Sequence, residues 1–226
     1  MRVLIACEES QEVCKAFRDR GHEAYSADLQ DCSGGHPEWH IKGDCLKLIN
    51  GDCTFMTEGG QWVHIEGKWD LLIAHPPCTF LTLTGNRWFN TAKYGKKAEQ
   101  RWKDRVEGAG FCMKIVAANC DRIAIENPIG IMGTTYRKAD QIIQPWQFAE
   151  DETEQTEKST CLWLKGLKPL KPRAVEKPKI KYHVSESGKR QTEWYYRTRC
   201  LPHKDRSKAA SKTFNGIARA MAEQWG

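Results

Sequence analysis

The sequence predicts an α/β protein with a mostly parallel central sheet. The stretch Trp69–Phe80, WDLLIAHPPCTF, holds a short apolar run, Leu71–Ala74, stopped by Pro76-Pro77. Such a run suits a strand buried in the middle of a sheet, and proline, which cannot donate to a sheet ladder, ends it. Residues 2–28 read as strand, helix, strand, the repeating unit of parallel sheets. Residues 99–128 repeat the alternation: a long helical stretch, the apolar Arg122–Ile125, then Glu126-Asn127-Pro128.

With 226 residues, 40% of them hydrophobic, the chain can bury the core of one domain with a small insertion. No apolar run approaches the ~18 residues of a membrane span. The opening MRVLIACEES is too short in its apolar part, and too soon acidic, for a signal peptide. A cytoplasmic protein is expected, with its ten scattered cysteines as reduced thiols. The net charge of +6 is uneven: residues 158–212 hold 16 Lys/Arg against 4 Asp/Glu, and the remainder is acidic. One basic block on an acidic protein suggests a polyanion partner; a solvated lysine-rich surface would look the same.

Arg2–Ala6 reads as the first buried strand. A helix over Gln11–Arg20 follows, with Val13, Ala16 and Phe17 on one face, Ser10 as its N-cap and Gly21 as its end. Glu23–Ala27 is the second strand, and Asp28 falls at its carboxyl end. An acid in that place accepts hydrogen bonds from ribose hydroxyls in many nucleotide-binding folds; Asp28 also reads as a turn former. The usual glycine-rich turn is missing, and Glu8-Glu9-Ser10-Gln11 stands in its place. That acidic turn would repel a pyrophosphate and would tolerate a cofactor with positive charge and no phosphate, such as S-adenosylmethionine.

Cys32, His36, His40 and Cys45 have no compact zinc spacing, and Gly34, Gly35 and Pro37 point to an ordinary loop, so no metal is expected. Asp44 is a second acid placed to reach a cofactor base. Residues 50–67 suggest a short hairpin or an irregular connection, with turn signals at Asn50-Gly51 and Gly59-Gly60. Cys78, just past the strand-ending prolines, lies where open α/β sheets bind ligands. It reads either as a nucleophile or as a small thiol tucked into a turn. Thr79–Lys97 is a long polar loop, read as closing over substrate. Glu99–Asn119 is a helix with Trp102, Val106, Phe111, Ile115 and Val116 as core positions. Tyr136–Ile143 reads as a short helix and Lys158–Leu164 as another strand. From Pro169 to Pro202 proline and lysine dominate, with Trp194, Tyr195 and Tyr196 in the middle, a mixture that suits stackable bases on a phosphate chain. Phe214–Trp225 is a terminal helix with Ile217, Ala218, Met221 and Ala222 on one face.

Taken in order, these pieces resemble the DNA (cytosine-5) methyltransferases. That family has Pro-Cys after one strand, matched here by Pro77-Cys78, and Glu-Asn-Val after another, matched by Glu126-Asn127 with Pro128 in place of Val. Asp28 and Asp44 match its two acids, and Asn215-Gly216 is a reversed form of its Gly-Asn before a terminal helix. The resemblance covers most of residues 1–165 and the last twelve, and is closest to short methyltransferase-like proteins of phage genomes. Three features depart from the family. Its Phe-x-Gly-x-Gly loop is replaced by Cys7-Glu8-Glu9-Ser10. Its Gln-x-Arg-x-Arg strand has only Lys158 and Thr160 in the corresponding place. Its large target-recognition domain is absent.

The resemblance implies a Rossmann-like S-adenosylmethionine-dependent methyltransferase fold with a small basic insertion. Residues 1–168 would be the catalytic core, 169–208 a DNA-binding and target-recognition element, and 209–226 a helix completing the core. It implies transfer of a methyl group to carbon 5 of cytosine in DNA, in the cytoplasm of a phage-infected or prophage-bearing bacterium. The catalytic set would be Cys78, Glu126, Pro77 and Asn127. The cofactor set would be Glu8, Glu9, Ser10, Asp28, Asp44, Pro76 and Asn215. Double-stranded DNA with a flipped cytosine would meet Lys158, Lys189, Arg190, Trp194, Tyr195, Tyr196, Arg197 and Arg199. Two other readings stay open: a methyltransferase acting on an RNA or nucleotide base, and a catalytically silent nucleic-acid-binding protein on the same fold.

Overall fold

The apolar runs of the sequence become the middle of a seven-stranded sheet. The computed structural model describes residues 1–186 and 188–226, with Lys204 described by its backbone. In chain order the strands are β1 (Arg2–Ala6), β2 (Glu23–Asp28), β3 (His40–Lys42), β4 (Cys53–Met56), β5 (Trp62–Ile65) and β6 (Leu71–Ala74). They continue with β7 (Ile123–Pro128), β8 (Gln141–Ile143), β9 (Thr160–Lys165), β10 (Tyr182–Val184) and β11 (Arg190–Thr192). The helices are α1 (Glu12–Arg18), α2 (Thr91–Tyr94), α3 (Lys96–Val116), α4 (Met132–Thr135), α5 (Glu193–Cys200), α6 (His203–Ser211) and α7 (Asn215–Trp225).

The central sheet runs β3-β2-β1-β6-β7-β9-β8. The pairs from β3 through β7 are parallel, and β9 is antiparallel to both β7 and β8. The fold is therefore α/β, with a mixed, mostly parallel sheet. The chain winds outward from β1 to β2 and β3, then returns to lay β6 on the other side of β1. That reversal is the switch point at which open α/β sheets form a crevice outside their carboxyl ends.

Side chains alternate across the sheet and divide the core into two layers. Leu4, Leu72, Ile123 and Trp163 face the layer that includes Cys112 and Ile115 of α3 together with Phe55, Ile65 and Trp69. Val3, Ile5, Leu71, Ile73 and Leu162 face α1 and α7, through Val13 and Phe17 on one and Ile217, Met221 and Trp225 on the other. Each Leu, Ile or Phe buried in this way contributes about 1.5–3 kcal/mol. Among the described residues no helix is long and apolar enough to cross a membrane. The ten cysteines are free thiols.

Several local expectations are corrected. Helix α1 is not capped by Ser10: Gln11 precedes it in the left-handed region at φ 58° with no side-chain cap, and the amides of Val13 and Cys14 donate instead to Glu8. Residues 141–143 form a strand, not a helix, because they pair with Thr160–Leu162 on the sheet edge. The long helix begins earlier than expected, at Lys96, and turns Trp102 and Val106 outward at 47% and 70% exposure. Its inner positions are Ala98, Arg105, Cys112 and Ile115. Arg105 can be buried because its guanidinium donates to Phe80 O and Asn86 Oδ1 and stacks 3.5 Å over Phe89. The segment after Cys78 is not all loop: a 3-10 turn covers Leu83–Phe89, and α2 follows.

Candidate active site at the carboxyl ends of the central strands

A cavity of about 390 Å³ opens at the carboxyl ends of β1, β2, β6 and β7. Each strand delivers to its wall the residues that follow its apolar run. From β1 come Cys7, Glu8, Glu9 and Ser10; from β2, Asp28; from β6, His75 through Cys78; from β7, Glu126 and Asn127. Pro76-Pro77 and Glu126-Asn127 thus meet because β6 and β7 are parallel neighbours in the register Ala74 with Ile125. The two loops are also joined beyond the ladder. Asn127 Nδ2 donates to Pro76 O at 2.7 Å, Ile131 N donates to Leu81 O at 2.8 Å, and Thr82 bridges to Gly130. A side chain at Gly130 would collide with the Leu81 carbonyl, its Cβ falling 2.2 Å away, so this seam requires glycine.

The charges are arranged around Glu126. Burial works to raise its pKa, but the hydrogen bond and charge of His75 and the charge of Lys158 outweigh it, and the carboxyl is held below its ordinary value. His75 Nδ1 lies 3.3 Å from Glu126 Oε2. Burial pushes the Cys78 thiol up, the charge of Glu126 pushes it further, and Lys158 opposes them. In the free protein Cys78 is therefore a thiol beside a carboxylate, and loss of the Glu126 charge would favour the thiolate.

The first turn makes its bend without glycine. Cys7 and Gln11 take positive φ of 61° and 58°, where a glycine-rich loop would place glycine. Gln11 is buried and holds the bend, its amide donating to Ser26 Oγ at 3.3 Å and His36 O at 2.9 Å. The turn's acids are already engaged. Glu8 accepts from Val13 N at 2.7 Å and Cys14 N at 3.2 Å, at the N-terminus of α1. Glu9 accepts from Ser33 Oγ and lies 3.5 Å from Lys208 Nζ. Asp28 forms an Asx turn with Gln30 N at 2.9 Å and also borders the cavity.

Two residues expected at a cofactor lie elsewhere. Asp44 is exposed outside the cavity, and its carboxylate caps the short turn Cys45–Lys47 by accepting from Leu46 N at 3.0 Å. Asn215 is exposed on a separate polar groove beside Arg219. Lys158, expected to meet DNA and to stand with Thr160 in the place of the family's Gln-x-Arg-x-Arg strand, borders this cavity and donates to Ala210 O at 2.8 Å.

The rest of the basic set lies away from the cavity wall. Lys189 and Arg190 are exposed on the β10–β11 hairpin, with Arg190 stacked 3.8 Å over Tyr182. Trp194 packs at 5.2 Å on Phe214 and borders a second groove of about 360 Å³. Tyr196 stacks on His183 at 3.6 Å. Tyr195 is 44% exposed; Arg197 pairs with Glu193 at 2.8 Å, and Arg199 lies 5.9 Å over the Tyr195 ring.

Sequence reasoning missed His75 and the wall formed by Ser207 to Thr213. The signal for His75 was the equal overhang of one residue past two apolar strand ends, which matters only once those strands are neighbours. No pattern announced α6, whose Lys208 reaches back to Glu9, or the Lys212 that follows it and pairs with Glu12 at 3.1 Å.

Among the described residues no three His, Cys, Asp or Glu converge as a metal site. Cys32 bonds Gln11, His36 stacks on Trp39 at 3.8 Å, and His40 bonds Ser26. Compared with known proteins, the chain matches no protein-family model and no curated protein, so its functional reading rests on this geometry.

Proposed function

We propose that the protein transfers a methyl group from S-adenosylmethionine to carbon 5 of cytosine in DNA, through a covalent adduct on Cys78. The observation that carries this reading is the meeting of Cys78 and Glu126 in one cavity at the switch point of the sheet, with Asp28 on the same wall. The strand order supports a Rossmann-like methyltransferase fold. In it residues 1–168 are the core, 169–208 a basic element that holds DNA, and 209–226 the closing helix.

The residues present suit this cofactor. The bend at Cys7 to Gln11 gives the close turn without glycine, and Asp28 borders the cavity beside it. Asp28 would hold the ribose, and the backbone of Cys7 to Ser10 with Pro76 would line the rest. The bound cofactor supplies an electrophilic methyl group.

Carbon 5 of cytosine is a poor nucleophile on its own. Attack of the Cys78 thiolate on carbon 6 forms the S–C6 bond and moves the C5–C6 π pair onto carbon 5, which then takes the methyl group. Loss of the carbon 5 proton to water and cleavage of S–C6 restore the C5–C6 double bond and release the Cys78 thiolate. Glu126, protonated as the base docks, donates to ring nitrogen 3 and stabilises the charge that develops there. That same protonation removes the negative charge that raises the Cys78 thiol, so docking and activation of the nucleophile are coupled. Asn127 fixes the Pro76 carbonyl, and Pro77 stiffens the chain next to Cys78. The base must leave the duplex to reach the sulfur, at a cost of about a few kcal/mol.

The test is incubation with labelled S-adenosylmethionine and duplex DNA, RNA or free nucleotides. Cys78→Ser should abolish transfer, and DNA containing 5-fluorocytosine, which cannot lose its carbon 5 substituent, should trap an adduct on Cys78. A fully active Cys78→Ser enzyme would end the proposal; transfer to RNA or nucleotides alone would move it to that substrate. The use of both Glu8 oxygens inside the fold favours the second reading, a silent nucleic-acid-binding protein. Absence of cofactor binding by calorimetry would select it.

A further inference from the structure

Two histidines at the ends of sheet strands differ in how they are satisfied. His40 is fully buried with both ring nitrogens engaged, Nδ1 at 2.9 Å from Ser26 Oγ and Nε2 at 3.0 Å from Gln30 O. A histidine kept for structure is expected to look like this. His75 is held at one end only. Its Nδ1 meets Glu126 Oε2, while its Nε2 is buried with no partner among the described residues.

The placement of His75 is built into the sheet. Its backbone N–H donates to Ala6 O at 2.9 Å, extending the β1–β6 ladder. It is the first residue past Ala74, and Glu126 the first past Ala74's partner Ile125. Two ladders thus set the ring against the carboxylate in the free protein. The charged groups facing the ring are Glu126 from β7, Glu8 from the turn after β1, and Lys158 from the approach to β9.

We propose that His75 is the positioning residue of this site: as an imidazolium it clamps Oε2 of Glu126, leaves Oε1 for an incoming base, and holds the carboxylate ionised in the free protein. What docks on Oε1 rests on the nucleobase reading given above; the clamp rests on geometry. Burial works to lower the ring's pKa, but the hydrogen bond and charge of Glu126 and the charge of Glu8 outweigh it and raise it. Glu126 is displaced in the opposite direction, as the partner in an ion pair must be. An imidazolium with an unbonded Nε2–H is costly to bury. The carboxylate offsets that cost, so each member keeps the other charged.

The experiment titrates the pair in the full-length protein without ligand. Glutamate carboxyl carbons and histidine ring nitrogens are followed by NMR in wild type, His75→Asn and Glu126→Gln. Asparagine keeps a donor near the Nδ1 position but cannot carry the charge. The Glu126 carboxyl should titrate at higher pH in His75→Asn, since burial then acts with less opposition. The His75 ring should titrate at lower pH in Glu126→Gln. Coupling between two sites is reciprocal, so both shifts must appear. If His75→Asn does not fold, the Glu126→Gln arm decides alone. A ring that keeps its wild-type titration when Glu126 is replaced overturns the clamp, as does an unmoved Glu126 when the ring is replaced. Reciprocal shifts in a protein that methylates no nucleic acid would uphold the clamp and defeat the methyltransferase reading.

Discussion

Helix α7 closes one face of the sheet, and its first turn is held by a carboxylate from another segment. Gly216 N donates to both oxygens of Glu154, at 3.2 and 3.1 Å, and Glu150 N donates to Oε2 at 3.1 Å. Glu154 is 6% exposed, so water cannot readily replace it. In Glu154→Ala the buried Gly216 amide loses its acceptor, at about 1–3 kcal/mol. The helix N-terminus also loses a facing negative charge, worth about 0.3–1 kcal/mol and up to ~2 when partly buried. The expected loss is about 2–4 kcal/mol. At about 2–4 °C per kcal/mol for a chain of this size, the melting temperature should fall by roughly 4–16 °C. Glu154→Gln keeps one acceptor oxygen and should fall by about half as much. Thermal unfolding followed by circular dichroism reads both variants. A Glu154→Ala protein that melts with the wild type would refute the reasoning, because it would mean that this end of α7 needs no cap.

Three further predictions concern binding. Asp28→Ala should weaken S-adenosylmethionine binding by about 1.5–3 kcal/mol, the value of a hydrogen bond to a charged group, measured by calorimetry; unchanged affinity would leave Asp28 as a turn residue only. Tyr195→Ala should keep the wild-type melting temperature and cost about 1–3 kcal/mol of nucleic-acid affinity, whereas Trp194→Ala, which strips the contact with Phe214, should lower the melting temperature. Binding should weaken steeply with salt, and replacing Lys189 and Arg190 by Ala should flatten that slope; a flat slope in the wild type would remove nucleic acid as the partner.

The central strands were legible because they are apolar over several consecutive residues and end in unmistakable stops. Arg2–Ala6 and Leu71–Ala74 are strands over those same residues. Turn residues around 53–65 suited a hairpin or an irregular connection, and the pairing of β4 with β5 makes it a hairpin. β8 was not legible: three residues, Gln-Ile-Ile, are too few to show a period, and only the partner strand β9 makes them extended. The inner face of α3 was legible in its second half, where Phe111, Ile115 and Val116 pack on the core, and misled in its first half. Apolar residues were assigned inward, yet Trp102 points out with its Nε1 donating to Phe89 O at 3.1 Å, while an arginine fills the interior. The approach of Cys78 to Glu126 followed from strand-end motifs once the strands were adjacent. Asp44 and Asn215 lie outside this cavity, because the path after β3 and the point where α7 starts set their places and residue types alone do not determine either.

The seam between the two loops of the candidate site bears on how it binds anything at all. Asn127 ties one loop to Pro76, and the Leu81, Thr82, Gly130 and Ile131 backbones tie it again four residues further on. Fixing one residue's backbone costs about 1–2 kcal/mol of conformational entropy. Here that cost falls on folding, when the seam forms, and not on the arriving ligand. Affinity at this cavity should therefore report contacts made there more than ordering of its walls. Sequence changes beyond Leu83 can likewise alter what is admitted while leaving the separation of sulfur and carboxylate as the sheet sets it.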